Sequence, residues 1–325
     1  MVAEYGAGCA MRPLTWVGRH ASALLILGFL TVPFFPISTE TLRPFLPPLV
    51  VLVTALGFAR QRLDRQSLQD LLPKRHVASG LVWLFVTQVL AALFTVVIGR
   101  AFGATSEQLI FIVAFFVAPP LSSAPNICLI LGYDYVIALR LSVLGTFCAP
   151  VLMPLALSMS GMGFDVSGFE IALRVIGMLL GGIVLGVLIQ VTFGPAKITR
   201  HADVLNGLAA LAMIAFLFPL MSGAVVAVAD TPRLAIALLS LAVTLNLAGN
   251  LLVRWIARKH MTSAQAASLG YVFGNRNLSL VLASLPFDPV LTLFVALMQA
   301  PIYATPALFS FIQRTRKPCQ HSSES

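Results

Sequence analysis

The run Leu109-Ile-Phe-Ile-Val-Ala-Phe-Phe-Val117 reads as a membrane helix, yet it continues into Ala118-Pro-Pro-Leu-Ser-Ser-Ala-Pro-Asn126 before resuming as Ile127–Leu131. Proline has no backbone donor and its ring clashes with the preceding turn, so Pro119, Pro120 and Pro125 cannot belong to one continuous helix. A break here leaves carbonyl and amide groups at the depth of the hydrocarbon, where they survive only inside protein or beside a polar cavity. Ser122, Ser123 and Asn126 add side-chain ligands at that level. A second segment shows the same feature with other residues, as Val272-Phe273 leads into Gly274-Asn-Arg-Asn-Leu-Ser279. Two amides and an arginine within an apolar span are costly, and mark either a functional cavity or a polar network tying helices together. A guanidinium keeps its proton, so Arg276 requires an anion or several carbonyls beside it, which favours function.

Composition agrees with a bilayer setting. Of 325 residues, 58% are hydrophobic and 10% charged, with a mean hydropathy of +0.93. A soluble domain carries about 25% charged residues, so a water-facing surface cannot be made from this set. The net charge of +9 reads as retained cytoplasmic loops rather than nucleic-acid binding. Cys9, Cys128, Cys148 and Cys319 have no CxxC spacing, against both a disulfide framework and a zinc site. The first apolar run lacks a small-x-small cleavage site and is expected to be a retained span, with residues 1–19 and the tail after Arg314 as loosely ordered ends. Neither GxSxG nor HExxH occurs, and His20, His76, His201, His260 and His321 fall in loops or tails, so an enzyme is not expected.

A span needs about 20 mostly apolar residues. Candidates lie near 20–35, 45–59, 78–99, 108–131, 134–160, 169–194, 203–228, 232–253, 263–285 and 287–312. Ten spans put both termini on one side. That side would carry 15 of the 21 basic residues, in the groups Arg12–Arg19, Arg60–Arg75, Lys197–Arg200, Arg254–Lys259 and Arg314–Lys317. The other side would carry only Arg43, Arg100 and Arg233. Positive loops stay inside, so both termini are expected in the cytoplasm of a cell with this chain as a multi-pass protein of its inner (plasma) membrane.

The two halves match at an offset of 151, through Asn126 and Asn277 and through Ala149-Pro150 and Ala300-Pro301. A further proline follows each pair (Pro154, Pro306), and an aspartate turn precedes each span (Asp134, Asp288). Residues 1–160 and 161–313 would then be five-span repeats, with 314–325 as a polar tail. Five is odd, so the second repeat is inverted, which is a transporter architecture when broken helices meet at the midplane. Gln88, Ser142, Thr146 and Gln299 are further candidates for the same cavity, against the simpler reading that hydroxyls bond the preceding turn. Arg140 and Arg174 read as snorkelling to the interface, Cys128 and Cys148 as packing, and Gly177, Gly181, Gly182 and Gly186 as a close helix contact within or between subunits.

Ala118–Asn126, Leu144-Gly-Thr-Phe-Cys-Ala-Pro150 and Gly270-Tyr-Val-Phe-Gly-Asn-Arg-Asn277 together resemble the bile acid:sodium symporter family, over essentially the whole chain. The resemblance implies an all-α integral membrane protein of ten transmembrane helices in two inverted five-helix repeats. It implies a panel of spans 1, 2, 6 and 7 moving against a core of spans 3–5 and 8–10, with broken helices 4 and 9 crossing. It implies alternating-access transport of an organic anion, usually with sodium. The site residues would be Ser122, Ser123, Asn126, Asn275, Arg276, Asn277, Gln88, Ser142, Thr146 and Gln299, with no cofactor and no metal site.

The sequence departs from that pattern at one place. Sodium-coupled members carry a glutamate two residues before the glycine of the ninth-span motif, and here Val272 stands there. The residue two after the glycine, usually glutamine, is Arg276. An anion has gone and a fixed cation has come, which opposes sodium at low dielectric. The expectation is that Arg276 takes the cation's place and attracts the anionic substrate, with sodium or a proton as the candidate coupling ions. A rival within the same superfamily is an arsenite exporter, for which Cys128 would have to be an accessible thiolate.

Overall fold

The computed structural model describes residues 13–60, 73–161 and 166–315. Cys9, Cys319, His321, Arg12, Arg62, Arg65, Arg316 and Lys317, and with them most of the polar tail, lie outside the described residues. Every regular element described is a helix. Apart from short helical turns at Val32–Phe34, Thr39–Leu42 and Arg43–Phe45, in chain order they are α1 (Pro13–Arg19), α2 (Ala21–Thr31), α3 (Leu46–Arg60), α4 (residues 74–101), α5 (Ser106–Val117), α6 (Ala124–Ile130), α7 (Tyr135–Met159), α8 (Gly168–Arg200), α9 (Ala202–Met221), α10 (Ala224–Asp230), α11 (Pro232–Ala257), α12 (Ser263–Gly274), α13 (Leu278–Ser284) and α14 (Pro289–Thr315). Residues 13–19, expected to be loose, form a helix, and Arg19 Nε donates to Asp203 Oδ2 at 3.1 Å.

Seven helices among the described residues are long and apolar enough to cross a membrane, or eight if a bent pair counts as one. That pair is α1 and α2, which meet at 86°. The expected fourth and ninth spans fall on α5 with α6 and on α12 with α13, whose halves are 12 and 7 residues long in both cases. Neither half alone reaches the about 20 residues that a crossing requires.

Local chemistry fixes the ends of these pieces. Thr105 and Gln108 form a capping box at the start of α5, and Thr262 and Gln265 form the same box at the start of α12. Such a box satisfies two of the orphan donors of a helix start. Asp134 and Asp288 cap α7 and α14, accepting from Ile137 N at 3.0 Å and Leu291 N at 2.7 Å. The caps revise the offset between halves. Thr105 and Thr262 are 157 apart, Asp134 and Asp288 are 154 apart, and the three-residue change arises at the breaks, which join Ala118 to Ser123 but Asn275 to Asn277. The 151 offset therefore pairs positions that differ structurally: Asn126 lies inside α6, whereas Asn277 precedes α13.

Two groups of helices pack among themselves. In the first, α3 and α8 pack closely, where a Cβ on Gly182 would lie 2.7 Å from Thr54 and one on Gly186 would lie 2.8 Å from the Ala55 carbonyl oxygen. The glycine run is thus a contact within the chain, although Gly177 faces open space. Helices α2 and α9 complete this group. In the second group, α12 lies against α11 through Gly270 and Gly274, where a Cβ would lie 2.5 Å and 2.4 Å from the carbonyl oxygens of Asn250 and Asn246. Small residues are what allow backbones so close. Helices α4, α5, α6, α7 and α14 join this second group, α7 also packs along α8 of the first, and α13 lies between the groups, touching α3 and α8 on one side and α5 and α14 on the other. Helix α14 is its inner member, 61% buried over its apolar window against 22% for α11. Outward-facing side chains such as Phe94, Phe102, Ile130, Val191 and Trp255 make the apolar surface a bilayer needs.

Candidate functional site

The two breaks cross. Leu121 N donates to Asn275 O at 3.0 Å and Asn277 N donates to Pro119 O at 2.8 Å, an antiparallel pairing around Pro120 and Arg276. Both cross-bonds flank that pair, so Pro120 sits at the non-hydrogen-bonded position where a missing N–H costs nothing. The breaks thus satisfy backbone groups that neither could satisfy alone at membrane depth.

The remaining carbonyls are met by side chains from neighbouring helices. Helix α4 carries a π-helical turn at Phe85–Leu90 and α11 carries one at Thr244–Ala248. Such turns often mark functional positions. Each contains one buried amide directed at a break. Gln88 Nε2 donates to Ala118 O at 3.4 Å, and Asn246 Nδ2 donates to Gly274 O at 2.7 Å and to Asn275 Oδ1 at 3.3 Å. Thr305 Oγ1 in turn lies 2.5 Å from Asn246 Oδ1. Ser142 Oγ donates to Leu121 O at 3.2 Å, and Asn275 Nδ2 to Tyr271 O at 2.9 Å.

Arg276 lies at the centre, with 0% of its surface exposed. Its Nε donates to Phe273 O at 2.9 Å and its Nη1 to Ala118 O at 3.3 Å, so one side chain joins the last turns of both leading half-helices. The guanidinium also lies over the rings of Phe273 and Trp83, with centroids at 5.1 and 5.7 Å. Aromatic faces attract a cation. Nη2 has no hydrogen-bond partner. The ion pairs among the described residues, Arg19–Asp203 and Arg174–Glu170, do not involve Arg276. The charge is therefore met by carbonyls and rings alone.

A cavity of about 850 Å³ adjoins the crossing, between the two helix groups. Seven of the ten sequence candidates line it, namely Ser122, Ser123, Asn126, Thr146, Arg276, Asn277 and Gln299. The wall is otherwise mainly apolar, with Val53, Leu139, Ile183, Phe216 and Ile302 among its members, and Tyr303 and Tyr135 as further polar tips. The other three candidates, Gln88, Ser142 and Asn275, do not reach the cavity and instead hold the backbone of the breaks. Asn246 and Thr305 belong with them although they were not among the candidates. The signal for Asn246 was present as Thr244-Leu-Asn-Leu-Ala-Gly-Asn250, two amides within an apolar span.

No family model matches this chain, and neither does any curated protein.

The cavity is one-sided. Helix α7 lines it with its first half, from Tyr135 to Phe147, while α14 uses its later residues Gln299–Pro306 and α3 its Val50–Phe58 stretch. These lie toward the end of the bundle where α3 finishes and α7 begins. Cys128 of α6 is 0% exposed, packed in a cluster with Leu84, Ala138 and Tyr271 rather than on the cavity. The arsenite reading needs an accessible thiol, and this is not one.

Proposed function

We propose that this chain is a secondary transporter that moves a small organic anion by alternating access, with its site at the crossing and with no need of sodium. The single observation that carries the reading is Arg276: a buried guanidinium without a carboxylate partner, on the wall of a cavity of about 850 Å³ that is otherwise mainly apolar. An apolar pocket with a few convergent polar groups is the usual form of a small-molecule site. An amphipathic anion suits it, with its charge held by Ser122, Asn126 and Asn277 in the field of the buried Arg276 and its apolar body against Phe216 and Ile183.

Several observations support the wider reading. Seven continuous helices, the bent α1–α2 pair and the two broken pairs add to ten spans. Matched capping boxes and half-helices of equal length support inverted repeats over 1–160 and 161–313. The helix groups fit a panel (α2, α3, α8, α9) and a core, as the resemblance to the bile acid:sodium symporter family implies. The charge distribution supports cytoplasmic termini in the plasma membrane. Arg276 bonds carbonyls of both breaks as a bound metal cation would, so a built-in charge takes the place of sodium.

Purified protein in proteoliposomes tests this. Saturable uptake of a labelled amphipathic carboxylate is expected, accelerated by unlabelled anion on the far side and equal in sodium, potassium or choline. Non-saturable flux would instead indicate a channel. Tight sodium binding to the wild type, lost in Arg276→Gln, would sink the built-in-cation role while leaving a transporter in place.

A further inference from the structure

At the end of the bundle away from the cavity, two arginines of the first helix group grip the end of α13, the second half of the second broken span. Helix α13 finishes at Ser284, and the last carbonyls of a helix have no partner of their own. Arg174 Nη1 of α8 donates to Ser284 O at 3.2 Å, and Arg43, in the 3-10 turn leading into α3, donates through Nη2 to Leu282 O at 3.1 Å and to Leu285 O. Arg43 also lies over the Phe287 ring, 5.4 Å from its centroid. Glu170 Oε1 accepts from Arg174 Nη2 at 2.6 Å, which fixes the direction of that guanidinium. Arg174 is therefore engaged across the two groups rather than only snorkelling. Cations at a helix C-terminus are favourable because the helix dipole ends negative there. By contrast, Arg100 Nη2 at the end of α4 donates to Gly161 O just beyond α7 at 3.3 Å, a bond within one group.

Resting on the transporter reading, we propose that Arg43 and Arg174 form a latch that keeps this end shut while the cavity is open at the other. The second break, bonded to the first at the crossing, ties α13 to α12 and α5, so when these move away from α3 and α8 to open the cavity on this side all three carbonyls must leave their donors. The two guanidinium groups share one acceptor cluster, and only Arg174 has a carboxylate beside it. Losing α13 therefore leaves two neighbouring like charges without their common partner, which makes the arrangement two-state rather than graded. Arg100 cannot act in this way, because both of its ends travel with the same group.

The test uses full-length protein in oriented vesicles with Val143→Cys, a cavity position, and an impermeant maleimide applied from either face. Mass spectrometry reads the label on that cysteine. The parent is expected to label from the α7-start face and hardly at all from the α13-end face. Replacing Arg43 and Arg174 by alanine should raise labelling from the α13-end face by about five- to thirtyfold, the population change expected when two helix-end cations are lost. Arg100→Ala should not change it. Lysines at 43 and 174 keep the charge and should give a smaller rise, which separates release of a latch from general damage to the fold. Unchanged labelling in the alanine variant, with the α7-start face still reactive, overturns the latch and leaves the transporter standing. Equal labelling of the parent from both faces also overturns the latch, since nothing then holds the α13 end shut, whereas the transporter reading fails separately, on non-saturable flux in the proteoliposome assay.

Discussion

The two breaks reach the same crossing by different chemistry. The first, from Ala118 to Ser123, is made by prolines that delete donors, and its free carbonyls are met from outside by Gln88, Ser142 and Arg276. The second, from Asn275 to Asn277, is shorter and largely caps itself, with Asn275 returning to Tyr271 O and Arg276 to Phe273 O. Its one external amide, Asn246, is bound more tightly than its counterpart Gln88, at 2.7 Å against 3.4 Å. Proline thus makes a break that depends on its neighbours, while amides and a guanidinium make one that supports its partner as well. Among the described residues Arg276 is the side chain of a break that reaches across to the other's carbonyl, and it lies beside the cavity that Ser122, Ser123 and Asn277 also line.

The largest expected effect comes from cutting the crossing itself. Leu121→Pro deletes the donor to Asn275 O in a way that Pro120 does not, and should cost about 3 kcal/mol or more of stability, or abolish folded protein. Size-exclusion chromatography and thermal unfolding in detergent read this directly. Next, Arg276→Met removes a buried charge that has no carboxylate partner. Anion affinity should fall by about ten- to a hundredfold, the value of a hydrogen bond to a charged group. The unfolding midpoint should move little, since removing a desolvated charge offsets the hydrogen bond that Phe273 O loses, while Gln88 still serves Ala118 O. Loss of both together would mean that the arginine serves the fold rather than the ligand.

The external amides should separate by a smaller margin. Asn246→Leu leaves Gly274 O unmet and should cost about 2 kcal/mol, whereas Gln88→Leu should cost about 1 kcal/mol because Arg276 still serves Ala118 O. Equal losses in chemical denaturation would remove the asymmetry described above. The smallest effect is expected for Pro120→Ala. No ladder bond is gained or lost there, so only packing against Gly145 changes, by about 1 kcal/mol or less. A larger loss would show that proline at this position does more than end a helix.

Much of this was legible in the chain. The sixth span was expected to end at residue 194, and α8 kinks at Gly194, which adopts φ 71° before the helix runs on to Arg200. Both breaks were legible because proline and clustered amides act on their own backbone. Thr105-Ser-Glu-Gln and Thr262-Ser-Ala-Gln were equally present as a repeat signal, and they give 157, whereas the alanine–proline pairs suggested 151. Those prolines lie at different distances past their Asp134 and Asp288 caps, so chemical likeness did not mean the same structural position. Gln88 and Ser142 were expected to line the cavity, and instead they meet carbonyls of the first break. Whether they face the cavity or a carbonyl depends on the rotation of α4 and α7 about their axes, which no local pattern fixes.

By itself, the sequence determined the apolar, membrane-compatible character of the chain, where its long apolar helices run and the two places where a helix must stop. Those follow from transfer of apolar runs out of water and from the bonding of each residue's own backbone, both of which act over a few neighbours. Only the tertiary structure decided that the two breaks cross, that Arg276 bonds a carbonyl 158 positions earlier, and that Arg43 and Arg174 close on α13. A buried donor takes whichever acceptor the packing brings within about 3 Å, and distant helices are brought that close by glycine contacts and caps acting together.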